Sequence, residues 1–356
     1  MAYSGTSGTT VIKVQDLIDH GARRCGKLAE ELTSEQVMAS RRSLFFLLSN
    51  LINIGIQYWA IDKTVMGLNP NQLTYNLPLG SNDALNVLYR TMARPTPNAT
   101  GGYSASSGIA YNAFDSQVDT ICQQTAPDGN IGIDYGQYNS IYSGSIGIMA
   151  GTTGQFHILL EYSLDGITWS LLLDTGVEEW VDMQWLWYDI DVGQNVQYYR
   201  MRETGGNTLA VREFYIGNNS TEIQMSRLNR DDYTNLPNKN FTANQPFQYW
   251  FDRTIPLPTI YLWPTPNTYF VQMVVWYSRQ IMDVGSLSGE LEIPQRWYEA
   301  ILMNLAHRMS LELPQVGLDR IQYLETQAQF YLNQAEQEER DKSPIYWAPN
   351  ISVYTS

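Results

Sequence analysis

Apolar side chains near the start of the chain recur at every third or fourth position: Val14, Leu17, Ile18, Ala22 and Cys25. That spacing puts them on one face of a helix, and Gly26 stands where the helix would stop. A second repeat runs through Val37, Leu44, Leu48, Leu51 and Gly55, and Thr33 precedes Gln36 by three positions, the spacing of a capping box. Towards the other end, Trp297, Ile301, Leu305 and Met309 form an i, i+4 stripe between Pro294 and Pro314. A last helix is predicted through Ile321, Leu324, Ala328 and Tyr331 or Leu332, fading into the charged run 336–342. The most apolar stretch, Leu44 to Ile56, is broken by Ser49, Asn50 and Asn53 and is shorter than the roughly 20 residues that span a bilayer. A buried helix is expected there, and no membrane insertion.

Between these helical patterns the period changes to two. Leu73 to Pro78, Asn86 to Arg90, Ile260 to Pro264 and Tyr269 to Tyr277 read as strands, the last being the strongest. Phe156 to Tyr162 and Val196 to Arg202 alternate as well, separated by turns rich in Gly and Asp; Asp165-Gly166 is a hairpin signal. The expected fold class is α+β. N- and C-terminal helices with a few strands would form one domain (1–100 and 221–342), and 101–220 an inserted all-β sandwich. Residues 343–356 would be an extended tail.

Composition sharpens that division. The 356 residues carry a formal charge of −14, yet residues 101–220 alone hold 14 acidic and 3 basic side chains, with no lysine and 16 of the 26 glycines. Such a shift marks a separate module. Net acidity argues against a protein that binds nucleic acid by neutralising phosphates. Cys25 and Cys122 are too few and too far apart for a disulfide framework or a zinc site, and His20, His157 and His307 are scattered. Met1 to Thr10 has neither a charged nor an apolar targeting region, so no targeting segment is expected.

Candidate chemistry is thin. Glu178, Glu179 and Asp182 lie near Trp180, Trp185 and Trp187, a pattern that could suit a sugar cleft with a general acid and base. A solvated acidic loop beside core tryptophans is the plainer alternative. Asp189/Asp191 and Asp231/Asp232 lack the multi-ligand spacing of a calcium loop. Gly144, Gly147, Gly151 and Gly154 do not form a phosphate-binding pattern. Cys25 falls on a helix face, where packing is expected rather than nucleophilic chemistry. No catalysis, metal or cofactor is expected.

Two stretches resemble known families. Glu161 to Trp169, with Tyr162, Asp165, Gly166 and Trp169, resembles the hairpin of discoidin-like and related jelly-roll modules, many of which bind glycans or cell surfaces. The resemblance implies a structural hairpin, with Asp165-Gly166 making the turn and Trp169 packing inward. The frame around the module is Val11 to Gly26, Leu73 to Pro78, Leu228 to Lys239, Gln245 to Arg253, Leu262 to Pro266 and Ile293 to Ala300. Covering 11–95 and 225–350, it resembles the head-to-tail adaptor proteins of short-tailed bacteriophages. That resemblance implies a homo-oligomeric ring, usually of twelve copies, in the virion, assembled in the host cytoplasm. Its partners would be the portal protein and the tail nozzle or tail fibre proteins, and genomic DNA would pass through without sequence-specific binding. The tail would dock through Ile345, Tyr346, Trp347 and Tyr354. The inserted module departs from the minimal helical adaptor, which leaves its role open, glycan contact included. Two alternatives stand: a glycan-binding receptor-recognition protein, and a glycoside hydrolase using Glu178, Glu179 and Asp182.

Overall fold

The computed structural model describes residues 11–54, 58–92, 101–217, 219–269 and 271–339. The expected docking tail, with Ile345, Tyr346, Trp347 and Tyr354, lies outside the described residues. The fold is mixed α+β, with helices α1 (Val14–Cys25), α2 (Ser34–Ile54), α3 (Arg230–Thr234), α4 (Tyr298–Glu312) and α5 (Leu318–Glu338). The chain divides into two compact units, one formed by Met1–Ile61 with Ser278–Ser356 and the other by Asp62–Tyr277.

The first unit is built by the two ends of the chain. The predicted stripe of α4 is its centre: Trp297, Ile301, Leu305 and Met309 are all buried, against Val14, Leu17, Ile18 and Ala22 of α1, Leu44, Leu48 and Leu51 of α2, and Leu324 and Ala328 of α5. Helices of this length are marginal alone in water, and their stability comes from such a shared apolar face. The ends are locally specified. Gly26 stops α1 with φ 87° and donates its N–H to the Ala22 and Arg23 carbonyls. Ahead of α2, the Gln36 N–H donates to Thr33 Oγ1 at 3.2 Å and the Thr33 N–H to Gln36 Oε1 at 3.0 Å, a closed capping box. Cys25 sits in this core, its thiol donating to the Ala306 carbonyl at 3.1 Å, and burial pushes its pKa up to about 11. That environment makes the thiolate scarce at neutral pH.

The second unit holds two β-sandwiches. In the first, a five-stranded sheet runs in the order Ser170–Trp180, Gly154–Ser163, Tyr198–Glu203, Asn130–Asp134, Gly102–Ala105. A four-stranded sheet faces it in the order Trp185–Asp189, Ser145–Ala150, Ala210–Gly217, Cys122–Gln123. Ile131, Ile148, Ile158, Leu160, Trp180, Met201, Val211 and Phe214 fill the space between. An all-β sandwich was expected in this part of the chain, and these strands, from Gly102 to Gly217, form one.

The second sandwich uses the strands on either side. One sheet orders Ile61–Gly67, Val271–Arg279, Ser81–Met92, Asn219–Gln224; the other orders Ser226–Leu228, Gln248–Asp252, Thr259–Trp263, Thr74–Asn76. Their common core contains Tyr75, Val87, Tyr89, Tyr249, Ile260, Leu262, Met273 and Val275. The four strands expected outside the module are all present, but they belong with the inserted sandwich in one unit rather than with the helices. Two features tie the sandwiches together. Met149, Trp185, Trp187 and Tyr215 on the outer face of the four-stranded sheet pack with Val65 and Tyr269. Arg90, only 1% exposed, donates to Asp189 Oδ1 at 2.8 Å, Glu222 Oε1 at 2.6 Å and Gln272 Oε1 at 3.1 Å. Asp189 also pairs with Lys63. A fully desolvated guanidinium held by carboxylates from both sandwiches makes their junction polar, buried and directional.

Candidate functional site

The hairpin expected at Glu161–Trp169 is present, and its turn is held by side chains. Gly166 has φ 74°, a backbone conformation that a Cβ would strain. Ser163 Oγ accepts the Gly166 N–H at 2.9 Å, and Asp165 Oδ1 accepts the N–H groups of Ile167 and Thr168 at 2.8 and 2.7 Å. Those backbone donors lower the Asp165 pKa to about 2. Tyr162 packs against the sandwich core.

Trp169 does not turn inward. It precedes the first register pair of the hairpin, Ser170 with Tyr162, so it is not committed to the inner face. The inner positions opposite are taken by Phe156, Ile158 and Leu160, and the tryptophan in the core is Trp180, its ring 4.7 Å from that of Phe156. Trp169 is half-buried, and the Arg200 guanidinium lies over its ring at 4.1 Å. Arg200 projects outward because its neighbours Tyr199 and Met201 point into the core. Arg200 and Arg202 both donate to Glu161, at 2.5 and 2.9 Å. Burial pushes the Glu161 carboxyl up, but the two arginine hydrogen bonds outweigh it and hold the pKa below the usual value. Farther along the same strand, His157 contacts Asp174 at 2.6 Å. Two of the three basic side chains of 101–220 thus share one outer face with an aromatic ring. Trp169→Ala is accordingly expected to cost about 1 kcal/mol, the scale of an exposed cation–π contact, rather than the several kcal/mol of a core tryptophan. Chemical denaturation of the variant beside Trp180→Ala checks this, with Trp180→Ala the far larger loss.

The candidate acid–base cluster does not assemble. Glu178 accepts the Tyr188 hydroxyl at 2.5 Å, Asp182 is clamped by Arg212 at 3.0 and 3.1 Å, and Glu179 is exposed. Glu178 and Asp182 line one cleft, but each carboxylate is already engaged by a different side chain, and Glu179 is not among the cleft residues. Asp189 is the partner of Arg90 and Lys63 rather than a calcium ligand. Asp231 and Asp232 occupy the first turn of α3, where the Asn229 side chain accepts the Asp232 N–H at 2.7 Å. No group of three metal-ligating side chains is found among the described residues. No described helix is long and apolar enough to cross a membrane.

One further surface was not legible as such in the sequence. In the helical unit, Met38, Phe45 and Phe46 of α2 and Tyr323 and Phe330 of α5 are exposed; Phe46 is 60% exposed, and Tyr323 and Phe330 59% each. Tyr323 and Phe330 are seven positions apart and so share a helix face. Their signal was present as residues off the buried stripe, which periodicity alone assigns to solvent.

No protein-family profile matches the sequence, and no curated protein matches it. Solved structures similar to part of the chain are carbohydrate-binding modules. A CBM32 module produced by Clostridium perfringens is 16% identical, with 33% of this chain and 93% of that module covered and a TM-score of 0.29. A pectin-binding carbohydrate-binding module is 16% identical, over 32% of this chain and 88% of the module, with a TM-score of 0.29. The family 32 module of C. perfringens NanJ, solved with galactose, is 14% identical, over 36% of this chain and 98% of the module, with a TM-score of 0.28.

Proposed function

We propose that the chain is a non-catalytic structural subunit of the head-to-tail connector of a short-tailed bacteriophage, assembling through its helical unit into a ring between portal and tail. The observation that carries this reading is the set of exposed aromatic side chains on α2 and α5, Phe45, Phe46, Tyr323 and Phe330. Large aromatics left in water on otherwise well-packed helices mark surfaces that another protein covers. Neighbouring copies of the chain are the occupant that a ring supplies. A heterologous contact, one patch of each copy against a different patch of the next, closes into a ring when the rotation permits. Exposed aromatic side chains on two different helices, α2 and α5, suit that geometry. The acidic balance of the chain suits a channel through which DNA slides without sticking.

The test is the mass in solution of the full chain and of Phe46→Glu and Phe330→Glu variants, with and without portal. The parent is expected to form a large closed oligomer, alone or on portal. Either charged variant should stay monomeric with unchanged far-ultraviolet dichroism, since both side chains are outside the core. A parent that remains monomeric beside portal, or variants that assemble as the parent does, would remove the helical faces from the assembly.

The second reading is a receptor-recognition role for the inserted sandwich through a glycan. It is favoured by the outer-face position of Trp169 beside Arg200 and Arg202, and by the likeness of its hairpin to discoidin-like modules. An aromatic ring with adjacent charged donors is a common way to hold a sugar, and here the ring is available in part to solvent.

A further inference from the structure

We propose that a cleft on the other side of the inserted sandwich, between residues 64–76 and 178–188, is a binding site for a neutral sugar ring. The cleft measures about 600 Å³, within the range of small-molecule sites. Its ligand class is that of the second reading above, but its place is different: Trp169 lies against Arg200 of the five-stranded sheet, whereas this cleft is lined by Trp185 and Trp187 of the four-stranded one.

The aromatic wall is built by close backbone approach. Trp185 and Trp187 lie stacked with centroids 4.9 Å apart and planes at 20°, although alternate residues of one strand rarely place such rings together without room beneath them. Gly147, opposite Trp187 in the register, provides that room: a Cβ there would come within 2.3 Å of the Trp187 ring. The remaining wall is amide-rich. Gln72, Asn76 and Gln184 line it, and so does Asn69, which donates to Gln72 Oε1 at 2.9 Å. Two polar atoms of the lining are buried and have no hydrogen-bond partner, Asn69 Oδ1 and Nε1 of the 9%-exposed Trp187. An unpaired buried polar atom is costly to a fold, so two in one cleft mark hydrogen-bonding capacity that the fold does not consume.

Charge then narrows the ligand. No Lys or Arg is among the described residues that line the cleft, while Glu178 and Asp182 are, and Asp182 is neutralised from outside by Arg212. An anion would meet the Glu178 carboxylate without a counter-charge. Side-chain amides donate and accept side by side, which matches vicinal hydroxyls, and the small exposed margins of the two buried tryptophans give the cleft apolar surface beside them.

The experiment uses the full chain and follows tryptophan emission and ligand-observed saturation-transfer NMR during titration with D-galactose, D-glucose and D-glucuronate to about 50 mM, as millimolar affinity demands. A saturable response to a neutral sugar is expected, with none to glucuronate. Gln184→Ala, at an exposed position, and Gln72→Ala should each weaken it roughly tenfold or more with unchanged melting, and Trp169→Ala should leave it as it was. Absence of a saturable response to both neutral sugars would overturn the proposal. So would equal binding of glucuronate. A response lost in Trp169→Ala and retained in both glutamine variants would also overturn it, while upholding the outer sheet face of the second reading.

Discussion

Arg90→Leu is expected to destabilise the β unit by about 3 kcal/mol, because removing one partner of a buried ion network strands the others. Asp189 and Glu222 are themselves 22% and 37% exposed at the side chain, so solvent softens the loss, and Lys63 still pairs with Asp189. A unit of this size should then melt roughly 6–12 °C lower. Near-ultraviolet dichroism, which reports tryptophan packing, reads the transition. Adding Glu222→Gln to Arg90→Leu should recover part of the loss, since one stranded carboxylate is then neutral. A melting point within about 2 °C of the parent would show that the network is not what joins the two sandwiches. The same account bears on Asp189, where burial raises the carboxyl pKa but hydrogen bonds from Arg90 and Lys63 bring it below the usual value.

Glu213→Gln is expected to stabilise the protein, and more so as pH rises. Glu213 is buried on the outer side of the four-stranded sheet, its Oε1 without a hydrogen-bond partner. Burial pushes its pKa up from 4.5 to about 8, and the negative charge of Asp115 adds to the effect. The folded state therefore holds a proton that the unfolded state releases near pH 4.5. Below that pH the residue carries no penalty; between 4.5 and 8 the penalty grows, and above 8 it is complete. At pH 8 it amounts to on the order of 4 kcal/mol. Urea denaturation of parent and variant at pH 5 and pH 8 tests the sign. The two should nearly coincide at pH 5 and separate at pH 8 with the variant the more stable. A parent equal to or more stable than the variant at pH 8 would mean that Glu213 is ionised in the fold without cost.

The helices were legible because their buried faces are contiguous in periodicity. The stripe from Trp297 to Met309, the Thr33–Gln36 capping box and Gly26 are local features, and each is found where the spacing put it. Individual strands were legible for the same reason. Their grouping was not, because sheet membership is decided by pairings between distant segments: Asn219–Gln224 lies against Ser81–Met92, and Thr259–Trp263 against Thr74–Asn76. Nothing in the one-dimensional pattern around Arg90 reveals that Asp189 and Glu222 converge on it. Trp169 went astray through its position, outside the paired strands, where alternation no longer fixes the face; Trp180, at the far end of the strand that follows, fills the core instead. The cleft was invisible for a further reason. Its walls come from segments over a hundred positions apart, and the glycine that makes space for its tryptophans looks like any other glycine of the module.

The most direct test of the proposed connector role is negative-stain imaging of the purified chain mixed with the portal of its own virion. The account predicts end-on views of a closed ring of about ten or more copies seated coaxially on portal, with the density of the inserted sandwich repeated once per subunit. Portal particles left bare at saturating chain, with the chain itself monomeric or trimeric in the same fields, would contradict it.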